Sequence, residues 1–439
     1  MRYIFAFLFV SILSVPCFAQ DDKDVIDFNT AMQMDRVGDE QNAAQIYYGL
    51  LGSENEIVSL NSALALAQKF VAKEDFESAV KYYRWILQQK PDFAQARFEL
   101  ALCYMKLKYW NQADYQLRLA LSAPDLPDNI KQLMMYYRFL IRQNKNWNVW
   151  FNFGAAPDNN VNYARGGEEC INTIYGVLCR QLPEPEKAVG FNFSVGGNYE
   201  FTLSDSWRWK NEALIYSNTY NKHKYDDLYA IVSSGPRYIW DRGDVWVAGV
   251  LSRRWYGWDG YNWAYGAKID SNYDFSRRLS GGLLLRVTEN FYDLYAEYMD
   301  GETYTVAPRL SYTFGGNKRI ILRTSLDRET TKDSIYANWR EGFSIGFDIN
   351  APWGFNFYFE PWFSWTQYDS ERFFVKDNNI DFAKERDFIQ RYSFGISNSN
   401  ISKWGFVPAL NVGYINQKSN IPQRNYDKVT IGLTLHQSF

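Results

Sequence analysis

Histidine occurs twice and cysteine four times in 439 residues, too little soft-ligand material for a His or Cys metal centre. Charge of one sign is also missing: 47 Lys and Arg face 50 Asp and Glu, so no basic domain marks a nucleic-acid partner. Beyond the N-terminus no stretch approaches the ~20 consecutive apolar residues of a spanning helix, which excludes a helical multi-span membrane protein. There is no nucleophile elbow, no metal-ligand spacing and no paired acid with a histidine in reach. An enzyme is therefore not expected, nor is a cofactor. What the chain does have is aromatic mass, 18% of its residues, at a mean hydropathy of -0.41.

The first residues set the compartment. Arg2, an apolar run from Tyr3 to Val15 and the small-residue end Cys17-Phe18-Ala19 read as a secretory signal peptide over 1–19, cleaved after Ala19. A lipidated Cys17 is the alternative, and Pro16 argues against it. Of the cysteines left, Cys170 and Cys179 lie nine residues apart in a Gly-rich stretch and are expected to form a disulfide in an oxidising compartment. Cys103 sits in a helical pattern as a buried thiol.

From Asp24 to Lys145 the apolar residues recur with helical spacing, and the segment resembles itself at a shift of 34. Ala67, Phe70, Ala79 and Tyr83 return as Ala101, Tyr104, Ala113 and Leu117, with Pro91 and Pro124 after the two units. That is the period of a tetratricopeptide (TPR) repeat. An earlier unit, Ala31 to Leu51, is out of phase by one or two residues, and Asp128 to Arg142 reads as a closing helix. The domain reading is 20–146, helical and periplasmic. Its expected role is to bind cargo in a concave groove lined in part by Tyr83, Arg97 and Tyr104.

At Trp147 the period changes from 3.6 to 2 and stays there to the last residue. Val189, Phe191, Phe193 and Val195 alternate with Gly190, Asn192, Ser194 and Gly196, and Phe343, Ile345, Phe347 and Ile349 with Ser344, Gly346, Asp348 and Asn350. Fourteen such segments start near Trp147, Ala188, Arg208, Leu228, Val245, Trp263, Leu279, Thr303, Arg319, Ala337, Gly354, Arg386, Gly405 and Asp427. They run about ten to fifteen residues, where strands of soluble sandwiches run ~5–6. Short connections alternate with long ones at 157–187 and 369–385, and fourteen of the 16 Trp lie after residue 146. Even strand number, unequal connections and aromatic girdles define an outer-membrane β-barrel over 147–439. Phe439, closing an alternating strand, is the expected assembly signal for the barrel-assembly machinery.

With the apolar face towards lipid, Glu200, Arg286, Arg309, Arg319, Arg323, Asp348, Glu360 and Arg391 point into the lumen. There they serve either as paired wall charges or as guides for a translocating chain. Two Asn-rich clusters stand out. Pro157, Asp158, Asn159, Asn160 and Asn162 follow the first strand; Ser419, Asn420, Tyr426 and Asp427 precede the last. In a closed barrel both fall at one rim of the seam.

These clusters, together with the repeats, Lys384-Glu385-Arg386-Asp387, Gly405-Phe406-Val407-Pro408 and Phe439, resemble the surface lipoprotein assembly modulator (Slam) family over nearly the whole mature chain. The resemblance implies a fourteen-stranded outer-membrane translocon with a periplasmic TPR domain. Its cargo would be specific surface lipoproteins or secreted haem- and metal-acquisition proteins, which end in a small β-barrel domain. Arg386 and Asp387 match the family pattern. Implied partners are that cargo, the barrel-assembly machinery, periplasmic chaperones and outer-membrane lipid. The alternative is an exopolysaccharide-export porin with a periplasmic TPR domain. That protein would want a lumen of one sign, a longer solenoid and more strands. A passive diffusion porin would have no use for the solenoid.

Overall fold

A computed structural model describes residues 23–124, 126–401 and 406–438. The signal peptide expected over 1–19, Gly405 and Phe439 lie outside the described residues. The chain divides into two compact units, one ending at Ala120 and one beginning at Leu121.

The first unit is a run of antiparallel helices: α1 (Lys23–Arg36), α2 (Glu40–Leu50), α3 (Glu56–Ala72), α4 (Phe76–Gln89), α5 (Ala94–Lys106) and α6 (Trp110–Leu121), the last residue of which falls in the second unit. The 34-residue period appears as a repeated helix stop. Phe70 C=O accepts from Asp75 N–H at 2.9 Å and Tyr104 C=O from Tyr109 N–H at 2.8 Å. In each case the residue just before the donor is left-handed, Glu74 at φ 59° and Lys108 at φ 62°. This is the Schellman end, which satisfies the last carbonyls and reverses the chain in three residues. Met34 and Asp39 repeat it at 2.9 Å with Gly38 at φ 87°. That stop precedes the next by 36 rather than 34, which is the phase slip of the first unit.

The repeated small residues are the packing sites: Ala67, Ala79, Ala101 and Ala113 are fully buried, as are Tyr83 and Leu117. Here the structure corrects an expectation. Tyr83 has no exposed surface and belongs to the core with Leu60, Ile86 and Leu100. Arg97 is 2% exposed, its Nε donating to Pro91 C=O at 2.8 Å and its Nη1 to Gln116 Oε1 at 2.5 Å. Tyr104 packs half-buried against the same core. Tyr83 and Arg97 thus lie in the interior between helices and line no open groove, because an aromatic or long side chain at the helix contact fills the space that the alanines leave.

The second unit holds α7 (Asp128–Asn144) and a closed barrel of fourteen strands. In chain order the strands are β1 (Trp147–Asp158), β4 (Ala188–Thr202), β5 (Trp207–Tyr220), β6 (Asp227–Trp240), β7 (Gly243–Tyr256), β8 (Asp259–Asp274) and β9 (Leu279–Tyr292). They continue with β10 (Gly301–Phe314), β11 (Lys318–Glu329), β12 (Asn338–Asn350), β13 (Phe355–Lys376), β14 (Asn379–Asn398), β15 (Val407–Ser419) and β16 (Tyr426–Ser438). Between β1 and β4 a separate ribbon pairs β2 (Glu168–Thr173) with β3 (Gly176–Gln181). Every barrel neighbour is antiparallel, and β1 closes on β16.

Alternation sorts the faces as the pattern requires: Val189, Phe191, Leu251, Val306, Leu310, Ile431 and Leu433 are all exposed on the outside. Short turns gather at one end of the barrel and longer connections at the other. The segment 369–385, expected as a loop, is instead a continuation of β13 and β14 into a projecting hairpin, with one register shift between Gln367 and Glu371. Those strands run 22 and 20 residues, about twice the 9–11 that cross the hydrocarbon.

The helical unit carries a testable titration. Burial pushes the Glu99 carboxyl on α5 from 4.5 up to about 6. The folded state therefore holds this proton more tightly than the unfolded chain, so the contribution to stability is fully present below pH 4.5 and is lost as pH rises through 6. Glu99→Gln is expected to remove that dependence. Relative to wild type it should gain about 2 kcal/mol at pH 7 and almost nothing below about pH 4, measured by thermal unfolding of the helical signal in circular dichroism.

Candidate functional site: the seam, the lumen and the two barrel ends

At the seam, β1 pairs with β4 at twelve positions, from Trp147 to Asp158, but with β16 at only seven among the described residues. The β16 ladder runs from Trp150 to Ala155, misses Ala156 and Pro157, and resumes once, at Asp158 opposite Thr430. Proline has no N–H to give to a ladder.

Above that break, side chains add to one long backbone bond, from Asn159 N–H to Val429 C=O at 3.5 Å. Asn159 Oδ1 accepts Val429 N–H at 2.7 Å, and Asn160 Nδ2 donates to Asp427 C=O at 3.0 Å and to Ala164 C=O at 2.9 Å. Asp158 Oδ1 accepts Asn160 N–H at 2.9 Å, while its Oδ2 meets Lys428 Nζ at 2.6 Å, with both residues buried. Lys428 also stands 4.0 Å from the ring centre of Tyr163, whose edge contact with Tyr426 spans 5.3 Å.

Asn162 belongs to the adjoining connection, bracketing Glu184 C=O and Glu186 N–H at 2.9 and 2.8 Å. There Lys222, Tyr225 and Lys224 hold the Glu186 carboxyl down at about 2. The structure thus brings Asp158, Asn159 and Asn160 to Tyr426 and Asp427. It places Arg386, Asp387, Ser419 and Asn420 one strand pair away. Asn420 Oδ1 accepts Arg386 N–H at 2.7 Å, its Nδ2 donates to Lys384 C=O at 2.9 Å, and Ser419 faces Asp387 in register. Sequence reasoning missed Lys428 and Tyr163. Lys428 was findable as a basic residue on the inward face of the last strand, two before Thr430.

All eight lumen charges occupy inward register positions, and six are in ion pairs. Glu200 meets Arg237 at 2.8 Å, Arg309 meets Asp270 at 2.7 Å, Arg319 meets Asp348 at 2.6 Å and Arg323 meets Glu360 at 2.5 Å. Arg286 donates to Thr305 Oγ1 at 3.5 Å, and Arg391 lies 5.0 Å over Trp362. A further cluster went unseen in the sequence: the buried Trp246 carries Lys210 and Lys268 at 3.9 and 4.1 Å from its ring centres, both paired with Glu212.

At the turn end α7 lies across the barrel mouth. Seventeen residues give it about 25 Å. Just before it, Ser122 Oγ accepts Gly316 N–H at 3.0 Å in the β10–β11 turn. Near its far end Arg208 of β5 donates to Gln143 C=O at 2.9 Å. Between them Arg138 holds Asp274 with both of its terminal nitrogens, at 2.9 and 3.2 Å, and Arg142 holds Asp274 and Asp241 C=O. These anchors reach nearly half-way round the ring of strands, and Arg138 and Asp274 are 2% and 3% exposed.

At the opposite end Cys170 and Cys179 are bonded to each other. Glu168 beside them is the carboxylate of the sole Cys-containing cluster of candidate metal ligands among the described residues, and with both sulfurs joined it has no thiolate to share with an ion.

A closed antiparallel barrel with an apolar exterior is an outer-membrane β-barrel, located in the outer membrane. The family described as surface lipoprotein assembly modifier matches residues 147–439, the whole barrel, and the chain belongs to that family. A surface lipoprotein assembly modifier of Pasteurella multocida (strain Pm70) is 23% identical over 86% of this chain and 76% of its own length. One from Moraxella catarrhalis is 21% identical over 93% and 79%. Surface lipoprotein assembly modifier 1 of Neisseria meningitidis serogroup B is 25% identical over 47% and 41%. Among solved structures, OmpT of Vibrio cholerae superposes with a TM-score of 0.37 at 9% identity over 67% of this chain and 98% of that one, too slight a likeness to build on.

Two outcomes follow from this geometry. Lys428→Met strands the buried Asp158 carboxylate, which should cost about 3–5 kcal/mol. Heat-modifiable migration on gels should then convert at a lower temperature than in wild type. Asp274→Ala leaves two arginines of α7 without their common acceptor. Hydrogen exchange of the α7 amides should rise at least tenfold, and conductance in planar bilayers should increase.

Proposed function

We propose that this chain is a translocon, acting by passage rather than by chemistry, that delivers specific lipoproteins or soluble haem- and metal-acquisition proteins across the outer membrane to the cell surface. The match of the whole barrel to the surface lipoprotein assembly modifiers is the observation that carries this reading. The turn end of the barrel is the periplasmic side by the usual rule that periplasmic connections are short. On that assignment the helical unit, α7 and the start of β1 are periplasmic, and the Asn-rich clusters are extracellular.

Two features support protein cargo over a charged polymer. The lumen is lined by charges of both signs, most of them paired, and α7 obstructs its periplasmic mouth. The β1–β16 seam, where part of the ladder is replaced by side-chain bonds, is the wall of least resistance and the route we assign to cargo release. With Tyr83 and Arg97 buried, the receptor role passes to the strip of Tyr48, Tyr82 and Phe70 on α2, α4 and α3, with ring separations of 6.3 and 5.4 Å. Holding cargo there raises its local concentration at the barrel, which substitutes for an energy source in the periplasm.

Gene deletion is expected to leave a cargo protein made and exported to the periplasm but absent from the surface, read by antibody labelling of intact cells. A variant lacking residues 20–120, which keeps α7 with the barrel, should insert and yet display cargo poorly. Unchanged surface cargo with loss of an exopolysaccharide would favour the polysaccharide porin instead.

A further inference from the structure

The ribbon between β1 and β4 is used by neither the seam nor the lumen. Cys170 and Cys179 face each other with Cα atoms 4.0 Å apart, the spacing of a pair that exchanges no backbone hydrogen bonds. By alternation Val177, Cys179 and Gln181 then turn their N–H and C=O groups away from β2. The partner strand obeys the same rule on its far side: Asn172, opposite Val177, donates its N–H to Asn378 C=O at 2.7 Å, at the tip of the β13–β14 hairpin. One outer edge of the ribbon is thus occupied. The other, along β3, makes no backbone hydrogen bond among the described residues, and all six of its residues are exposed.

Folded proteins blunt such an edge with lysine, proline, a bulge or a cover. This one has none of them between residues 168 and 181. Its charge Arg180 is tied to Glu169 at 2.6 Å, Val177 and Leu178 are 61% and 63% exposed, and Ile174 and Tyr175 at the tip exceed 90%. A lone two-stranded ribbon is marginal in water, and here a disulfide holds it in shape. The combination is a stapled, apolar, unpaired strand standing at the loop end of the barrel, beside the upper end of the seam.

We propose that β3 is a docking edge that takes an extended strand of the exported protein as it emerges. The partner's backbone would bond to Val177, Cys179 and Gln181, and its apolar side chains would cover Val177 and Leu178. The identity of the partner rests on the translocon reading; the edge chemistry does not. A chain arriving unfolded brings unpaired strands, and a ready-made edge offers them the first ladder.

The test uses the full chain purified in detergent, with a fluorescein-labelled ten-residue peptide of alternating Thr and Val as probe. A twin peptide N-methylated at every residue lacks the donors on both of its edges. Val177→Pro deletes one outward N–H and no β2–β3 bond; Val177→Thr keeps it. Retention of the Cys170–Cys179 bond in non-reducing peptide maps verifies that the ribbon is intact in both. Expected are binding to wild type and Val177→Thr, slowed amide exchange over residues 176–182, and binding at least about tenfold weaker for Val177→Pro and for the methylated peptide. Equal binding by the two variants, or by the two peptides, overturns the edge. So does peptide-independent dimerisation that Val177→Pro abolishes, since the occupant would then be a second copy.

In cells, Val177→Pro should lower surface display of a tagged lipoprotein that depends on this chain. Unchanged display with peptide binding lost overturns the choice of partner. Equal display in wild type and the gene deletion sinks the translocon reading and leaves the peptide result standing.

Discussion

In hydrocarbon a backbone N–H or C=O has no water to turn to, and each one left unpaired costs several kcal/mol. Every other feature of the barrel depends on that constraint. It requires the strands to close, so β1 must find β16 across nearly three hundred residues. It also explains why the closure is complete along the middle of β1 and relaxed only at Ala156 and Pro157, near the rim, where Asn159, Asn160 and Lys428 supply other bonds. Asparagine suits this task because one side chain carries both a donor and an acceptor, the same pair that a peptide group presents.

The charged groups obey a related rule. A carboxylate taken out of water must have its partner fixed, and three of the buried acids here show it: Asp158 with Lys428, Glu200 with Arg237, Asp274 with two arginines of α7. Such pairs are weak evidence of stability but strong evidence of geometry, since each demands one arrangement and penalises the others. They sit at the top of the seam, in the lumen wall and at the turn end of the barrel. The ribbon at the outer end is the counterpart: its edge bonds are left unmade where water can hold them until a strand arrives.

Much of this was legible from residue order. The change of period at Trp147, the fourteen segments and the inward placement of Glu200, Arg309 and Asp348 follow from alternation, which any single strand displays by itself. The 34-residue repeat was equally plain, as was the disulfide, because nine residues across a Gly-rich turn leave two cysteines few other partners. What misled was the groove. Tyr83 and Arg97 carry the chemistry of a binding face, and nothing in a repeat shows whether an aromatic at a helix contact points out or in. The extension of β13 and β14 past the membrane was hidden for another reason: polar residues such as Asp377 and Asn378 at a hairpin tip read the same as a loop.

By itself, then, the amino-acid order determined which residues face lipid and which face the lumen, where helices give way to strands, and how many strands there are. All of these are set by periods of two and 3.6, which are local. Only the tertiary structure decided that Lys428 completes Asp158, that Asp274 anchors α7, that Tyr83 lies in a core and that β3 keeps an open edge. Those outcomes depend on the register between strands far apart in sequence, and register is chosen by the closure of the whole ring rather than by any one segment of it.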